Sequence, residues 1–197
     1  INLGISARMI GAERGKGEVL VFLDSQMEVT DRWLHPLLSY VSTHPRSVAA
    51  SIIDKMYFDG SYVPRQGMFV VSVIPERLAF CWTTEVHNAS QWAVHSPVLL
   101  GSAFAIKRSW FEEGGRYDPG NRVWGIENIE LSVRVWTCGE DKERGDIVFM
   151  PCSRVGHYFR DNRTADGRKE SSRFDTDFLI PNSIRFAEVR LKIKSNH

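Results

Sequence analysis

The sequence predicts an α/β protein: a mostly parallel sheet wrapped by helices, with one inserted hairpin. Three observations carry that expectation. The apolar run Val19-Leu20-Val21-Phe22-Leu23 opens after the turn-forming Gly15-Lys16-Gly17 and ends on Asp24, which is the pattern of a buried strand. A helical spacing through Trp33, Leu34, Leu37, Leu38 and Val41 follows it. A second apolar run, 47–54, again ends on an acid, Asp54. Strands alternating with helices in this way build a sheet covered on its faces.

The remaining elements follow in order. Residues 1–14 place Ile5, Met9 and Ile10 at helical spacing, and Gly15 and Gly17 end the segment. Thr30 or Asp31 offers a cap for the helix through Val41. That helix stops before His44-Pro45, since the residue ahead of a proline leaves the helical region. Asp59-Gly60 between apolar flanks predicts a hairpin over 56–65. Residues 67–95 carry Phe69, Phe80, Trp82 and Trp92 among polar neighbours and read as partly strand, partly irregular. A small-residue turn leads into a strand over 99–106, and a short helix over 109–113 is broken by Gly114-Gly115. Ile129, Val133 and Trp136 line one face of a helix over 126–138, which Gly139 ends. A strand over 146–150 is followed by a strand or turn over 152–159. Residues 160–177 are polar and nearly free of aliphatics, the composition of a mobile loop. A closing helix over 181–194 presents Ile184, Val189, Leu191 and Ile193.

Composition narrows the function classes. The 197 residues are 43% hydrophobic and 25% charged, ordinary proportions for one domain with a sizeable core. Twenty-five basic against 24 acidic residues leave a net charge of +1. That balance gives no electrostatic basis for binding nucleic acid or an acidic membrane. No apolar stretch approaches the roughly 20 residues of a membrane span. The chain opens at Ile1, so it reads as part of something longer. Cys81, Cys138 and Cys152 fit no close-spaced zinc pattern; they are buried thiols or half-disulfides with partners outside the chain. Asn88-Ala-Ser and Asn162-Arg-Thr are glycosylation triplets, which add slight weight to a secretory location.

Three constellations can carry chemistry. Asp24-Ser25-Gln26 sits at a strand's carboxyl end, where open α/β sheets bind ligands. A carboxylate there either caps a local turn or ligates Mg²⁺ or Mn²⁺ against a diphosphate. In Trp124-Gly125-Ile126-Glu127-Asn128, Glu127 falls in a helix's first turn. It either complements the helix dipole or forms the floor of a sugar pocket, with Trp124 packing over the ligand. In Gly156-His157-Tyr158-Phe159-Arg160, His157 is a structural histidine or a metal ligand. Arg160 offers a fork of donors that matches diphosphate oxygens.

With these motifs in one order, the chain resembles the catalytic domain of polypeptide N-acetylgalactosaminyltransferases from about Ala7 to about Leu191. The resemblance rests on Arg8 with Gly11-Ala12, on Gly17 to Ser25, and on Glu28 before Trp33-Leu34-His35-Pro36-Leu37-Leu38. It continues through Ile52-Ile53-Asp54, Phe104, the block from Trp124 to Gly139, the block from Pro151 to Arg160, and 182–189.

The resemblance implies a GT-A fold, UDP-GalNAc as donor, Mn²⁺ as metal and Ser or Thr of a polypeptide as acceptor, with retained anomeric configuration. It implies donor contacts from Arg8, Asp24, Gly101, Ser102, Trp124, Glu127, Asn128 and Arg160, with Glu127 catalytic. It implies metal ligation by Asp24 and His157, and it places Gln26 where the family has a metal-binding His. It also implies a Golgi-lumen parent anchored in the membrane outside residues 1–197, a single partial catalytic domain without its first strands or a lectin module, and disulfides from Cys138 and Cys152 to partners beyond the ends.

Three positions and one segment depart from the family pattern. Gln26 is a neutral, poorer ligand, Ile126 stands for a Gly, and Ser102 stands for a pocket Gly. Residues 161–170 lack the family's aromatic loop. These departures carry the alternative reading of a catalytically impaired relative that binds a sugar nucleotide, a peptide or a transferase. A GT-A transferase with another donor is the third reading, which the block from Cys152 to Arg160 opposes.

Overall fold

The computed structural model describes residues 4–57, 61–74, 79–83, 93–138, 144–158 and 178–191. Helix α1 (Gly4–Arg14) leads to β1 (Val19–Phe22), and a tight turn at Ser25 and Gln26 leads to β2 (Met27–Val29). Then come α2 (Leu34–Thr43), β3 (Val48–Met56), β4 (Tyr62–Ile74), β5 (Ala79–Thr83), β6 (Val94–His95) and β7 (Phe104–Lys107). Helices α3 (Arg108–Glu113) and α4 (Glu127–Thr137), strand β8 (Ile147–Tyr158) and helix α5 (Ile180–Phe186) complete the order. From Ala187 to Leu191 the chain continues from α5 in a wider π-type turn.

β3 is the centre of the sheet. β8 runs parallel along one edge, while β7 and then β4 pair antiparallel along the other. β1 adds antiparallel outside β7, and β2 and β6 add antiparallel to β8. The α/β class is as expected, but the balance of strand directions is not. Among the described residues β3 with β8 is the parallel pair, and the other pairings are antiparallel. The expected β1–α2–β3 unit exists and leaves β1 and β3 pointing the same way. What periodicity cannot show is that the distant β7 inserts between them.

Alternation along the strands assigns the two faces. Val48, Ala50, Phe104, Ile106, Ile147 and Phe149 belong to the larger core shared with α1, α3 and α4. Ala49, Ala105 and Val148 pack with Leu37 and Val41 of α2 on the other face. Small residues at the α2 face let that helix approach closely. Pro36 is harmless in α2 because a first-turn N–H has no helical acceptor.

Several expectations change in detail. Thr30 and Asp31 do not cap α2: the residue ahead of it is Trp33, with no side-chain cap, and the Thr30 hydroxyl donates instead to the Arg154 carbonyl at 2.7 Å. The two expected segments, 146–150 and 152–159, fall on one strand, Ile147–Tyr158. Its pairing with β3 jumps from Ser51↔Met150 to Ile52↔Arg154, so Pro151, Cys152 and Ser153 bulge out. A proline cannot donate to a ladder, so it is accommodated at such a bulge. The hairpin β3–β4 forms, with Met56 opposite Tyr62, while its turn at Asp59-Gly60 lies outside the described residues. The expected polar loop 160–177 and the tail of the closing helix beyond Leu191 also lie outside them.

Candidate functional site

Two strands and one helix end meet at the carboxyl side of the sheet. Phe22, the last residue of β1, is locked by rings: Phe104 stacks at 5.0 Å, and Phe111 and Tyr117 approach at 5.4 and 5.9 Å between centroids. Such pairs fix orientation as well as bury area. Asp24, two residues on, is thereby delivered from a rigid strand end. The turn after it carries the chain across to β8, where Met27 pairs with His157 and the Tyr158 N–H donates to the Gln26 carbonyl at 3.0 Å. Three residues before His157, Arg154 secures the neighbouring register through an ion pair with the buried Asp54. Arg154 Nε donates to Asp54 Oδ2 at 2.8 Å, and its second nitrogen bonds Oδ1.

The result is a close charge cluster. His157 Nε2 lies 3.8 Å from Asp24 Oδ2, and Arg8 of α1 donates to Asp24 Oδ1 at 2.7 Å. The other Arg8 nitrogen is 3.8 Å from Glu127 Oε1. Glu127 is 2% exposed, and its Oε2 has no hydrogen-bond partner among the described residues. Burial raises its pKa, opposed by the main-chain N–H groups of Glu127 and Gly125 and by Arg8. Burial works against the Arg8 charge, but Tyr117, Asp24 and Glu127 outweigh it and the guanidinium sits above its ordinary value. Burial also lowers His157, against the pull of Asp24, which favours the neutral imidazole that a cation needs. Under the cluster, burial pushes the Tyr117 phenol up to about 12.

Asp24 and His157 are close enough for one divalent cation to reach both, although no group of three or more His, Cys, Asp or Glu gathers among the described residues. Bonds of about 2.0–2.2 Å let one ion span up to roughly 4.4 Å between two donors, and the facing atoms are 3.8 Å apart. Gln26 lies on the connecting turn, half-buried, with a neutral amide to add.

The second half of the site is built by loops. Gly101 has φ +91°, and a β-carbon there would lie 2.0 Å from Asn128 Oδ1, so the backbone of 99–103 is pressed against the first turn of α4. Asn128 donates to the Leu100 carbonyl at 2.8 Å, and Ser102 is buried in the same turn. Trp124 is half-exposed at the surface of the preceding loop. Ile126 adopts φ +72° directly ahead of Glu127. A β-branched residue in that region is strained by about 1–2 kcal/mol. The backbone thus keeps a glycine-like bend with a side chain that resists it.

The structure brings together Arg8, Asp24, His157 and Glu127, with Gln26 on the adjoining turn. Gly101, Ser102 and Asn128 gather one residue further along α4. Arg160 and the 161–170 segment lie outside the described residues. Cys138 is half-buried at the end of α4, and Cys152 is exposed in the β8 bulge. Sequence reasoning assigned no role to Tyr117, Asn182 or the Asp54–Arg154 pair. The Asp118-Pro119-Gly120 turn was the available pointer to Tyr117; nothing local points to the other two.

The strand ends thus bring an acid and an imidazole together, faced by a carboxylate at a helix start. Residues 2–115 match glycosyl transferase family 2, and the chain belongs to that family. Curated relatives include polypeptide N-acetylgalactosaminyltransferases. Enzyme 11 of Xenopus tropicalis is 38% identical over 195 residues, covering 94% of this chain and 30% of the relative. Enzyme 8 of Drosophila melanogaster is 41% identical over 164 residues, covering 79% and 26%. The crystal structure of GalNAc-T7 with UDP, GalNAc and Mn²⁺ superposes with a TM-score of 0.74 at 30% identity, over 95% of this chain and 36% of that one. The chain thus spans about a third or less of the length of these relatives.

Proposed function

We propose that the protein containing this chain transfers GalNAc from UDP-GalNAc to Ser or Thr of polypeptides, with residues 1–197 forming part of the catalytic domain. One observation carries the reading: Arg8, Asp24, His157 and Glu127, drawn from four separate segments, converge within 2.7–3.8 Å contacts. Asp24 and His157 hold the metal, with Gln26 as a weak third ligand. Bound Mn²⁺ supplies positive charge to the departing diphosphate. Arg8 fixes the Asp24 carboxylate and bridges it to Glu127. Arg160 donates to the diphosphate. Glu127, dry and facing inward, stabilises positive charge that develops at the anomeric carbon. Gly101, Ser102, Trp124 and Asn128 shape the sugar's surroundings. The family's secretory setting suggests a Golgi-lumen parent, with its membrane anchor and the cysteine partners of Cys138 and Cys152 outside this chain.

Gln26 favours a second reading, in which the same site binds UDP-sugar but turns it over poorly. Replacing a metal-binding imidazole by an amide weakens ligation by at least the roughly 10–100-fold that lost supporting contacts cost. The full-length protein, incubated with UDP-GalNAc, Mn²⁺ and a Ser/Thr peptide, separates the two. Transfer that is lost in Glu127→Gln supports the first reading. UDP binding without transfer, with turnover gained in Gln26→His, supports the second. A protein that binds neither UDP nor UDP-GalNAc removes both.

A further inference from the structure

The segment that delivers Glu127 does not hold itself in place. Residues 122–126 have no regular structure, and three of them lie at positive φ: Val123 at +45°, Gly125 at +99° and Ile126 at +72°. Two of these are β-branched and resist that region. Something outside the loop must over-determine its shape.

The Ile5 N–H of α1 supplies one tie, donating to the Val123 carbonyl at 2.9 Å; four more polar ties come from one side chain. Asn182 of α5 is 1% exposed, and its amide is spent entirely on this loop. Its Nδ2 donates to the carbonyls of Arg122 at 2.8 Å, Trp124 at 3.0 Å and Gly125 at 3.2 Å, and its Oδ1 accepts from the Arg122 N–H at 2.8 Å. These contacts cross 57 to 60 residues of sequence. Neighbouring ties seat α5 without touching the 122–126 carbonyls. Arg185 bonds both oxygens of Asp118 at 2.8 and 2.9 Å, and Leu179 packs so close to Gly125 that a β-carbon there would lie 2.9 Å from its Cδ1.

We propose that Asn182 is a positioning residue for the donor pocket. It clamps the 122–126 backbone in its strained form, and so sets where Trp124 and Glu127 stand against Arg8 and Asp24. The inference rests on the donor-pocket reading above, and adds that the sugar end of the pocket is held from the carboxy-terminal helix. The Asp24–His157 end is held by the sheet and does not depend on Asn182. A sugar nucleotide contacts both ends, whereas UDP alone engages the sheet-held end. Loss of the clamp therefore weakens UDP-GalNAc more than UDP.

The test uses the full-length protein and three variants. Asn182→Asp keeps the size and the acceptor for the Arg122 N–H but loses the amide donors. Asn182→Ala removes both, and Arg185→Ala loosens α5 elsewhere. Hydrogen exchange and calorimetric titrations with UDP and UDP-GalNAc are read on each. Both Asn182 variants are expected to speed exchange across 122–127 while β3 stays protected. They are also expected to lower the affinity for UDP-GalNAc relative to UDP by about tenfold, the scale of a displaced binding group. Arg185→Ala is expected to lower stability and leave that affinity ratio unchanged. Unchanged exchange over 122–127 in folded Asn182→Asp overturns the clamp. Equal weakening of both ligands reduces Asn182 to a structural role and overturns the positioning claim. A wild-type protein that binds neither ligand overturns the donor reading itself, a failure visible before any variant is compared.

Discussion

The two halves of the candidate site are held by different physics. Asp24 and His157 stand at the ends of β1 and β8, fixed by ladders and by the ring cluster around Phe22. Trp124 and Glu127 stand on and after a loop whose backbone breaks local preference at Val123 and Ile126. The first half is cooperative with the core, so perturbing it threatens the fold. The second half depends on a few long-range polar contacts, so perturbing it moves the site and spares the sheet. Binding and catalytic groups commonly sit on loops carried by a rigid scaffold in this way.

The largest effect belongs to the sheet half. Phe104 is fully buried against Phe22. Phe104→Ala removes the stacked ring and leaves a cavity, at a cost of about 3–5 kcal/mol. Chemical denaturation of the full-length protein measures it. A loss below about 1 kcal/mol would erase the distinction between a core-held and a loop-held half.

Next is the ion pair that sets the register of β8. Asp54 is fully buried beside Arg154. Arg154→Ala leaves that carboxylate in the interior without its guanidinium, a change that costs about 3–5 kcal/mol in well-buried pairs. Arg154 is about a quarter exposed, so the low end applies. Because Arg154 is three residues from His157, the same variant is expected to weaken Mn²⁺ affinity. Intact Mn²⁺ affinity in a destabilised variant would show that the ladder alone positions the imidazole.

These contrasts also mark what could be read from the letters. The strand 18–23, its terminal acid, the helix over 126–138 and the pairing of the 56–65 hairpin follow from period and turn residues, and the structure has them as Val19–Phe22, Asp24, Glu127–Thr137 and Met56 opposite Tyr62. The insertion of β7 between β1 and β3 was not legible, because pairing partners lie more than 50 residues apart. The letters leave the continuation of the 146–150 strand over 152–159 open between strand and turn, because they do not show the bulge at 151–153 that keeps β8 one strand. The clustering of Arg8 with Asp24 and Glu127 came from the family pattern, not from spacing. The clamp from Asn182 escaped both routes, since an asparagine in a helix carries no local sign of the carbonyls it will meet.

Ile126 sharpens the comparison on the loop side. At an ordinary helix boundary Ala outperforms Gly, by up to about 1 kcal/mol inside a helix. At φ +72° the order inverts, since a β-carbon in this region costs about 1–2 kcal/mol. Both substitutions lose the buried Ile126 side chain, so both destabilise. Ile126→Gly is expected to be the milder by about 1 kcal/mol. Paired thermal melts decide it, and a more stable Ala variant would mean that the bend relaxes in solution.

The smallest effect is a pH dependence at the seat of α5. Burial works to raise the Asp118 carboxyl, but the Arg185 guanidinium and the Gly120 N–H outweigh it and hold the group below the usual carboxylate range. A depressed folded value means that its stabilisation is complete above the unfolded pKa of about 3.9 and fades as pH falls through the folded one. Arg185 is partly exposed, so solvent screens much of the interaction and the gain is modest. Melting temperatures of wild type and Arg185→Ala, compared from about pH 5 to pH 3, are therefore expected to converge as the pH falls. Exchange at 117–121 should rise over the same interval before β3 loosens, because Asp118 lies in that turn and Arg185 bonds both of its oxygens. A constant gap between the two proteins across that interval would place the Asp118–Arg185 contact outside the native energetics and leave Asn182 as the main link between α5 and the loop.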